Sequence, residues 1–156
     1  MRTSRFLLLG AAAAVVGWTI FGVMAWQTVN VDEVAANDAA ERLSAVRGAF
    51  GETPPLIAYD GSGQVVRRET TPPSNPAPIT HIYVLTYHAA NGRLVHADVP
   101  FWFFKLKAPA AQFFVRDTGL DLNMLGLTAG DLEREGPTLV LDEGEAGGDR
   151  LLVWTE

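Results

Sequence analysis

The 156-residue sequence contains no cysteine. Disulfide bonds and lipid attachment through a cysteine are therefore excluded, and an exported domain in this chain must be stabilised by its core alone. Recognisable catalytic and cofactor motifs are missing as well. Ser62 lies between two glycines, but the residues around it do not form the Gly-x-Ser-x-Gly elbow of a hydrolase nucleophile. The sequence therefore predicts no cofactor.

Excess positive charge is also missing. The formal net charge is −6, and the last forty residues hold ten acidic residues against only Arg134 and Arg150. Nucleic-acid binding needs a basic face, so the composition argues against a nucleic-acid partner. A surface that keeps the domain dispersed in solution accounts for the acidic residues.

One long apolar run is present, at residues 6–26, without a charged side chain. At 1.5 Å per residue its 21 residues would span about 30 Å, the thickness of a bilayer's hydrocarbon core. The run predicts a transmembrane anchor after a cytoplasmic tip at residues 1–5. Arg2 and Arg5 precede it, and basic residues beside a span stay on the cytoplasmic side. The remainder of this single-pass protein is therefore predicted to be extracytoplasmic.

A cleaved secretory signal is the alternative interpretation of this run. The positive start and the small residues at Val23 and Ala25 fit a signal peptide cleaved near Ala25, which would release a secreted domain. The apolar part of a signal is typically about 7–15 residues long, and this run is longer, which favours the uncleaved anchor.

Residues 27–51 are predicted to form a juxtamembrane amphipathic helix. Asn30 and Glu33 fit a capping box, which places the helix at about Val31 to Arg47. Apolar residues recur every three or four positions and would line one helical face. They are Ala35, Ala39, Leu43, Val46 and Phe50.

Residues 52–156 are predicted to form an α+β domain. β-rich runs on either side of short turns indicate three hairpins, at 56–59 with 64–68, 80–88 with 93–99, and 138–141 with 151–155. Two short helices are predicted between the second and third hairpins, at 109–116 and 128–135. Consecutive hairpins imply an antiparallel sheet with helices over one face. The predicted fold is thus a transmembrane helix followed by a small antiparallel sheet covered by helices.

The central hairpin has the strongest turn signal, Asn91-Gly92. A two-residue turn there predicts pairing of Tyr87 with His96, Leu85 with Asp98 and Val84 with Val99. One face of the hairpin is almost wholly apolar and is predicted to be core: Ile82, Val84, Thr86, Val95, Ala97 and Val99. The opposite face is mixed and is predicted to point away from the core: His81, Tyr83, Leu85, Tyr87, Leu94, His96 and Asp98. A slip of two residues would keep both faces.

The mixed face carries the candidate catalytic residues Tyr87, His96 and Asp98. A histidine oriented by a carboxylate beside a phenol suits general acid–base chemistry. Aromatic and polar residues also populate any half-solvated sheet face, and no nucleophile or oxyanion element is evident nearby. No metal site is predicted, because His81 and His88 point to opposite faces of one strand.

Residues 101–104 are four contiguous aromatics followed by Lys105 and Lys107. A strand would bury Trp102 and place Phe101, Phe103, Lys105 and Lys107 on an exposed side that could contact a partner. A helical turn capped by Asp98 is the alternative.

Two functions follow as hypotheses. The first is a single-pass, membrane-anchored extracytoplasmic domain that serves as a protein-interaction or accessory subunit of a membrane or envelope assembly. The second is a small anchored enzyme or ligand-binding domain that uses the Tyr87, His96 and Asp98 cluster. The missing catalytic motif favours the first.

Overall fold

A computed structural model describes residues 29–60, 62, 64–105, 126–144 and 147–156. These residues form one seven-stranded sheet with three helices. The strands are β1 (Val29–Glu33), β2 (Ile57–Tyr59), β3 (Val65–Arg67), β4 (His81–His88), β5 (Arg93–Pro100), β6 (Leu139–Gly144) and β7 (Arg150–Thr155). The helices are α1 (Ala36–Ala49), α2 (Phe101–Lys105) and α3 (Ala129–Glu135).

The strand order is β1-β5-β4-β7-β6-β2-β3. The three predicted hairpins are confirmed as β2–β3, β4–β5 and β6–β7, each antiparallel. The hairpins join through an antiparallel β4–β7 pair and a parallel β2–β6 contact at Ile57 and Leu141. The sheet is therefore mixed, with β1 and β3 at its two edges.

The central hairpin keeps the predicted faces but not the predicted register. Tyr87 pairs with Leu94, Leu85 with His96 and Val84 with Ala97, a shift of two residues. The shift arises because the Asn91 amide donates to the His88 carbonyl (3.3 Å), which closes a turn before Gly92. Gly92 then adopts a positive φ of 62°. The connection is therefore a four-residue loop rather than a two-residue turn.

Both faces of the sheet are covered, not one. On the face that we call the closed face, buried side chains of the sheet pack with those of α2 and α3. They include Ile82, Val84, Ala97, Val153, Phe101 and Leu132. On the opposite face, which we call the open face, the sheet packs with Ala39 and Leu43 of α1. Its buried strand residues include Leu85, Tyr87, Leu94, Leu152 and Trp154.

Helix α1 begins later than predicted. Residues 29–33 form the edge strand β1, with Asn30 opposite His96, so the predicted capping box at Asn30 and Glu33 is wrong. The helix begins after Ala35, which makes no side-chain cap hydrogen bond. Residues 29–32 alternate apolar and polar side chains, which is the pattern of a β-strand. Their main chain pairs with β5 instead of forming the hydrogen bonds of a helix.

Of the predicted apolar face of α1, Ala39 and Leu43 are buried, and Val46 and Phe50 pack against the same cluster while partly buried. Ala35 is exposed and precedes the helix, so the predicted face is confirmed only in part.

The predicted fold class is wrong. The sheet is larger than expected and mixed rather than antiparallel, and the described residues form few helices beside it. The predicted transmembrane helix (6–26) and the predicted helix at 109–116 lie outside the described residues. Among the residues that are described, no helix has the length and apolarity to cross a membrane. The described residues form a sheet-rich domain and give the assignment as a single-pass, signal-anchored membrane protein no support. The predicted location and orientation stay predictions.

Helix α3 follows the sequence signals closely. The Thr128 side chain accepts from the Asp131 amide, and the Asp131 carboxylate accepts in return from the Thr128 amide, which forms a capping box. Gly136 ends the helix with a φ of 74°. A Cβ at Gly136 would lie 3.2 Å from the Pro76 side chain, so this position favours glycine for space as well as for backbone conformation.

Candidate functional site

The predicted catalytic residues Tyr87, His96 and Asp98 share one face of the sheet but do not form one site. Tyr87 is only 5% exposed and packs in the core beneath α1, so the prediction that it faces away from the core is wrong. The reason is that α1 covers this end of the open face. Asp98 lies beside His81, whose Nε2 is 3.8 Å from Asp98 Oδ1. His96 instead makes ring contacts.

Three aromatic rings form a cluster on the open face. Tyr83 of β4 and Trp154 of β7 have ring centroids 5.2 Å apart. His96 of β5 lies 6.1 Å from Tyr83 and 6.3 Å from Trp154, with all three rings nearly parallel. Trp154 Nε1 donates to Glu156 Oε1 (3.0 Å), which fixes the orientation of the indole. His96 is therefore part of a stacked aromatic cluster.

Two carboxylates, Asp98 and Glu156, lie near Tyr83 at one side of the aromatic cluster. Burial raises the pKa of the Tyr83 hydroxyl, and the nearby carboxylates of Asp98 and Glu156 raise it further. The phenol therefore stays protonated at neutral pH and can act as a hydrogen-bond donor. Asp98 Oδ1 is buried and has no hydrogen-bond partner within the described part of the chain, although His81 Nε2 lies nearby.

A groove of about 460 Å³ opens between α1 and the sheet, next to the aromatic cluster. Its lining comes from β1, α1, β4, β5 and β7. The lining residues are Asn30, Asp32, Arg42, Val46, Leu85, Leu94, His96 and Trp154. An apolar floor with a few polar groups at its rim is typical of a binding site.

The rim of the groove carries one ion pair. Arg42 Nη1 of α1 lies 3.0 Å from Asp32 Oδ2 of β1, and both side chains are more than half exposed. Exposed pairs of this kind contribute about 0–1 kcal/mol, so the contact can open at little cost. Sequence reasoning missed Asn30, Asp32 and Arg42 as site residues because it placed all three on one helix. The apolar–polar alternation of residues 29–32 was the available signal.

The groove lies beside an open sheet edge. β1 is the outermost strand on this side and pairs only with β5 among the described strands. Its outer side therefore presents main-chain donors and acceptors that another extended segment could pair with. Val31 at the centre of β1 is 44% exposed.

The aromatic segment at 101–104 is helical rather than extended. In α2, Phe101 and Phe103 are buried, whereas Trp102 is 52% exposed. The predicted faces are therefore reversed, because the chain changes from a strand to a helix directly after Pro100 and the strand alternation stops. Lys105 contacts Glu133 of α3 at 2.9 Å and lies 5.4 Å from the centre of the Phe101 ring. Lys107 lies outside the described residues.

One acidic residue of the β6–β7 hairpin, Asp142, forms ion pairs with two arginines. Asp142 accepts from Arg47 of α1 and from Arg150 of β7, each at 3.0 Å. This network fixes the C-terminal part of α1 to the sheet. Among the described residues, no group of three or more histidine or acidic side chains is arranged to hold a metal ion.

Comparisons of the chain with protein-family models, with curated proteins and with solved structures found no match. Any functional inference must therefore come from the residues themselves.

Proposed function

We propose that the described domain is a protein-interaction module that binds an extended segment of a partner along β1. The observation that carries this proposal is the position of the groove, which opens directly beside an edge strand. Main-chain pairing along a sheet edge gives affinity, and pockets for alternate side chains give specificity. The domain offers both elements at one place.

The geometry supports binding more strongly than catalysis. Of the three predicted catalytic residues, only His96 lines the groove. Tyr87 is buried under α1, and the Asp98 carboxylate lies 3.8 Å from His81 Nε2. A neighbour within hydrogen-bond reach that orients the base would support a catalytic role, and the ring contacts of His96 are with Tyr83 and Trp154.

A small ligand is the second candidate occupant of the groove. Pockets for small molecules usually measure about 300–1,000 Å³ and are mostly apolar, and the groove falls in this range. Its position beside the edge strand β1 favours a chain segment, because an extended segment can continue past the groove along the strand.

Photocrosslinking tests the proposal. A photoreactive amino acid in place of Asn30, on the groove side of β1, should give a covalent adduct with a partner protein in intact cells. The same group in place of Val66 is the matched control, because Val66 is also exposed and lies on β3, the opposite edge. An adduct seen from position 30 and absent from position 66 supports the proposal. The same adducts from both positions, or none from position 30, would contradict it.

A further inference from the structure

We infer that the partner segment carries two adjacent apolar residues next to two adjacent basic residues. This inference rests on the proposed interaction function and specifies the chemistry of the partner. The four residues of β1 that define it are Asn30, Val31, Asp32 and Glu33.

The alternation of β1 fixes where each partner side chain would point. A strand added outside β1 would lie about 4.8 Å away, with one residue opposite each residue of β1. Asn30 and Asp32 line the groove. Val31 and Glu33 therefore point to the other face of the sheet.

Asn30 and Val31 of β1 favour apolar residues in the partner. A side chain opposite Asn30 would point to the groove face at the end that β1 forms, where a large apolar or aromatic group can lean over Asn30 toward the groove. A side chain opposite Val31 would cover an apolar group that is 44% exposed in the domain. A β-branched residue suits that position because cross-strand apolar pairs stabilise a sheet.

Asp32 and Glu33 of β1 favour basic residues in the partner. Asp32 and Glu33 are consecutive, exposed carboxylates at the edge. Opposite charges placed directly across two strands are stabilising, and like charges are destabilising. Arg42 contacts Asp32 at 3.0 Å, but the pair is exposed, so a basic residue of the partner can share or take over the carboxylate.

Charge also separates this partner from a second copy of the chain. A second copy that docked its own β1 would bring two more carboxylates next to Asp32 and Glu33, which already have Arg42 and Arg93 as neighbouring cations. Each chain also has a formal net charge of −6. A basic segment brings the opposite charge to the same edge. The observations therefore favour a different, basic chain over self-association.

Synthetic peptides test this chemistry on the full 156-residue chain. The probe is Ser-Leu-Val-Lys-Lys-Ser, together with the reversed sequence for the opposite strand direction. The matched control replaces both lysines by glutamates. Two exposed charge pairs should lower the dissociation constant of a basic peptide about tenfold relative to its acidic control. The difference should shrink as salt is raised.

Three variants locate the effect. Asp32→Asn combined with Glu33→Gln should abolish the preference for the basic peptide. Arg42→Gln should strengthen basic-peptide binding, because it removes the internal competitor for Asp32. Glu133→Gln is the control, because Glu133 is a similarly exposed carboxylate in an ion pair on α3. It should leave the preference unchanged.

Several results would overturn the inference. Equal binding of basic and acidic peptides, or no binding of either basic peptide, would exclude a basic partner. So would a dimer in solution that the Val31→Lys variant dissociates, because the occupant of the edge would then be a second copy. The photocrosslink from position 30 tests the interaction function independently of the peptide measurements. A partner adduct without a preference for basic peptides would retain the interaction function and reject this chemistry, whereas loss of the adduct would reject the function itself.

Discussion

Helices cover both faces of the sheet, but they fill the space above the two faces to different extents. On the closed face, apolar side chains of the strands meet large side chains from two helices, including Phe101 of α2 and Leu132 of α3. On the open face, α1 is the covering helix, and the side chains that it buries fully are Ala39 and Leu43. The first face forms a continuous core, and the second has a groove of about 460 Å³ beside α1.

The difference follows from the size of the covering side chains. Close packing requires that opposing side chains fill the space between a helix and a sheet. Alanine at position 39 contributes little volume, and Val46 reaches the sheet only partly buried. The groove lies next to β1, where the side chains of α1 leave the space above the sheet incompletely filled. A face that is not completely filled is available for recognition, whereas the filled face provides stability.

The largest expected effect lies on the closed face. Val84 is fully buried, with Ala97 and Val153 opposite it on the neighbouring strands. Val84→Asp should unfold the domain, because an unpaired buried carboxylate is strongly disfavoured. Circular dichroism and the yield of soluble protein measure the outcome. Val66→Asp, at an exposed edge position, is the control and should fold normally. A folded Val84→Asp variant would show that this face is not core.

The next effect compares neighbouring residues of α2. Phe101→Ala should cost about 3–5 kcal/mol of unfolding free energy, the usual range for a buried large aromatic. Trp102→Ala should cost less than about 1 kcal/mol, because Trp102 is 52% exposed. Urea unfolding of both variants gives the comparison. Equal losses from the two variants would mean that Trp102 also belongs to the core.

Sequence patterns predicted the local elements of this fold better than their assembly. Strand pairs flanking short turns were readable, as was the capping box of Thr128 and Asp131, because these signals lie within a few residues. The β2–β6 parallel contact joins residues far apart in the chain, at Ile57 and Leu141, and no local pattern encodes it. Burial of the mixed face also depends on where α1 docks, which the sequence of the hairpin does not contain.

The candidate site shows the same division. His96 was predicted from the hairpin and does line the groove. Trp154 comes from the last strand, and Arg42 from the first helix, so only the assembled sheet brings them to His96. Residues 29–33 carry local patterns of both a helix start and a strand. They form a strand because they pair with β5, which is a tertiary contact. The aromatic segment was assigned the wrong period for a related reason, since α2 begins directly after Pro100.

A pH-dependent effect is expected where α3 supports the closed face. The hydrogen bond from the Thr128 hydroxyl (2.7 Å) lowers the pKa of the Asp131 carboxyl well below its usual range. The Thr128 amide and the guanidinium groups of Arg67 and Arg134 lower the pKa further. A carboxyl whose pKa is lower in the folded state stabilises the fold above its unfolded pKa of about 4. That contribution is lost as the pH falls through the folded-state pKa.

Asp131→Asn should therefore cost about 1–2 kcal/mol at neutral pH, from the weakened cap and arginine contacts. The difference in unfolding free energy from the unaltered protein should shrink as the pH falls below about 4. Urea unfolding at a series of pH values measures it. A difference that stays constant across this pH range would show that ionisation of Asp131 does not stabilise α3.

The smallest effect on stability is expected at the rim of the open face. Arg42 and Asp32 are both more than half exposed, and exposed ion pairs contribute about 0–1 kcal/mol. Arg42→Gln should therefore change the unfolding free energy by less than about 1 kcal/mol, while it frees Asp32 for a basic residue of a partner. Urea unfolding and peptide titration on the same variant separate these two consequences. Arg47→Gln is the matched control, because Arg47 belongs to the same helix but pairs with the partly buried Asp142. Its loss should lower stability more than Arg42→Gln and should not strengthen binding of the basic peptide. If Arg42→Gln destabilises the domain as much as Arg47→Gln, the ion pair holds α1 on the sheet and the rim of the groove is part of the core.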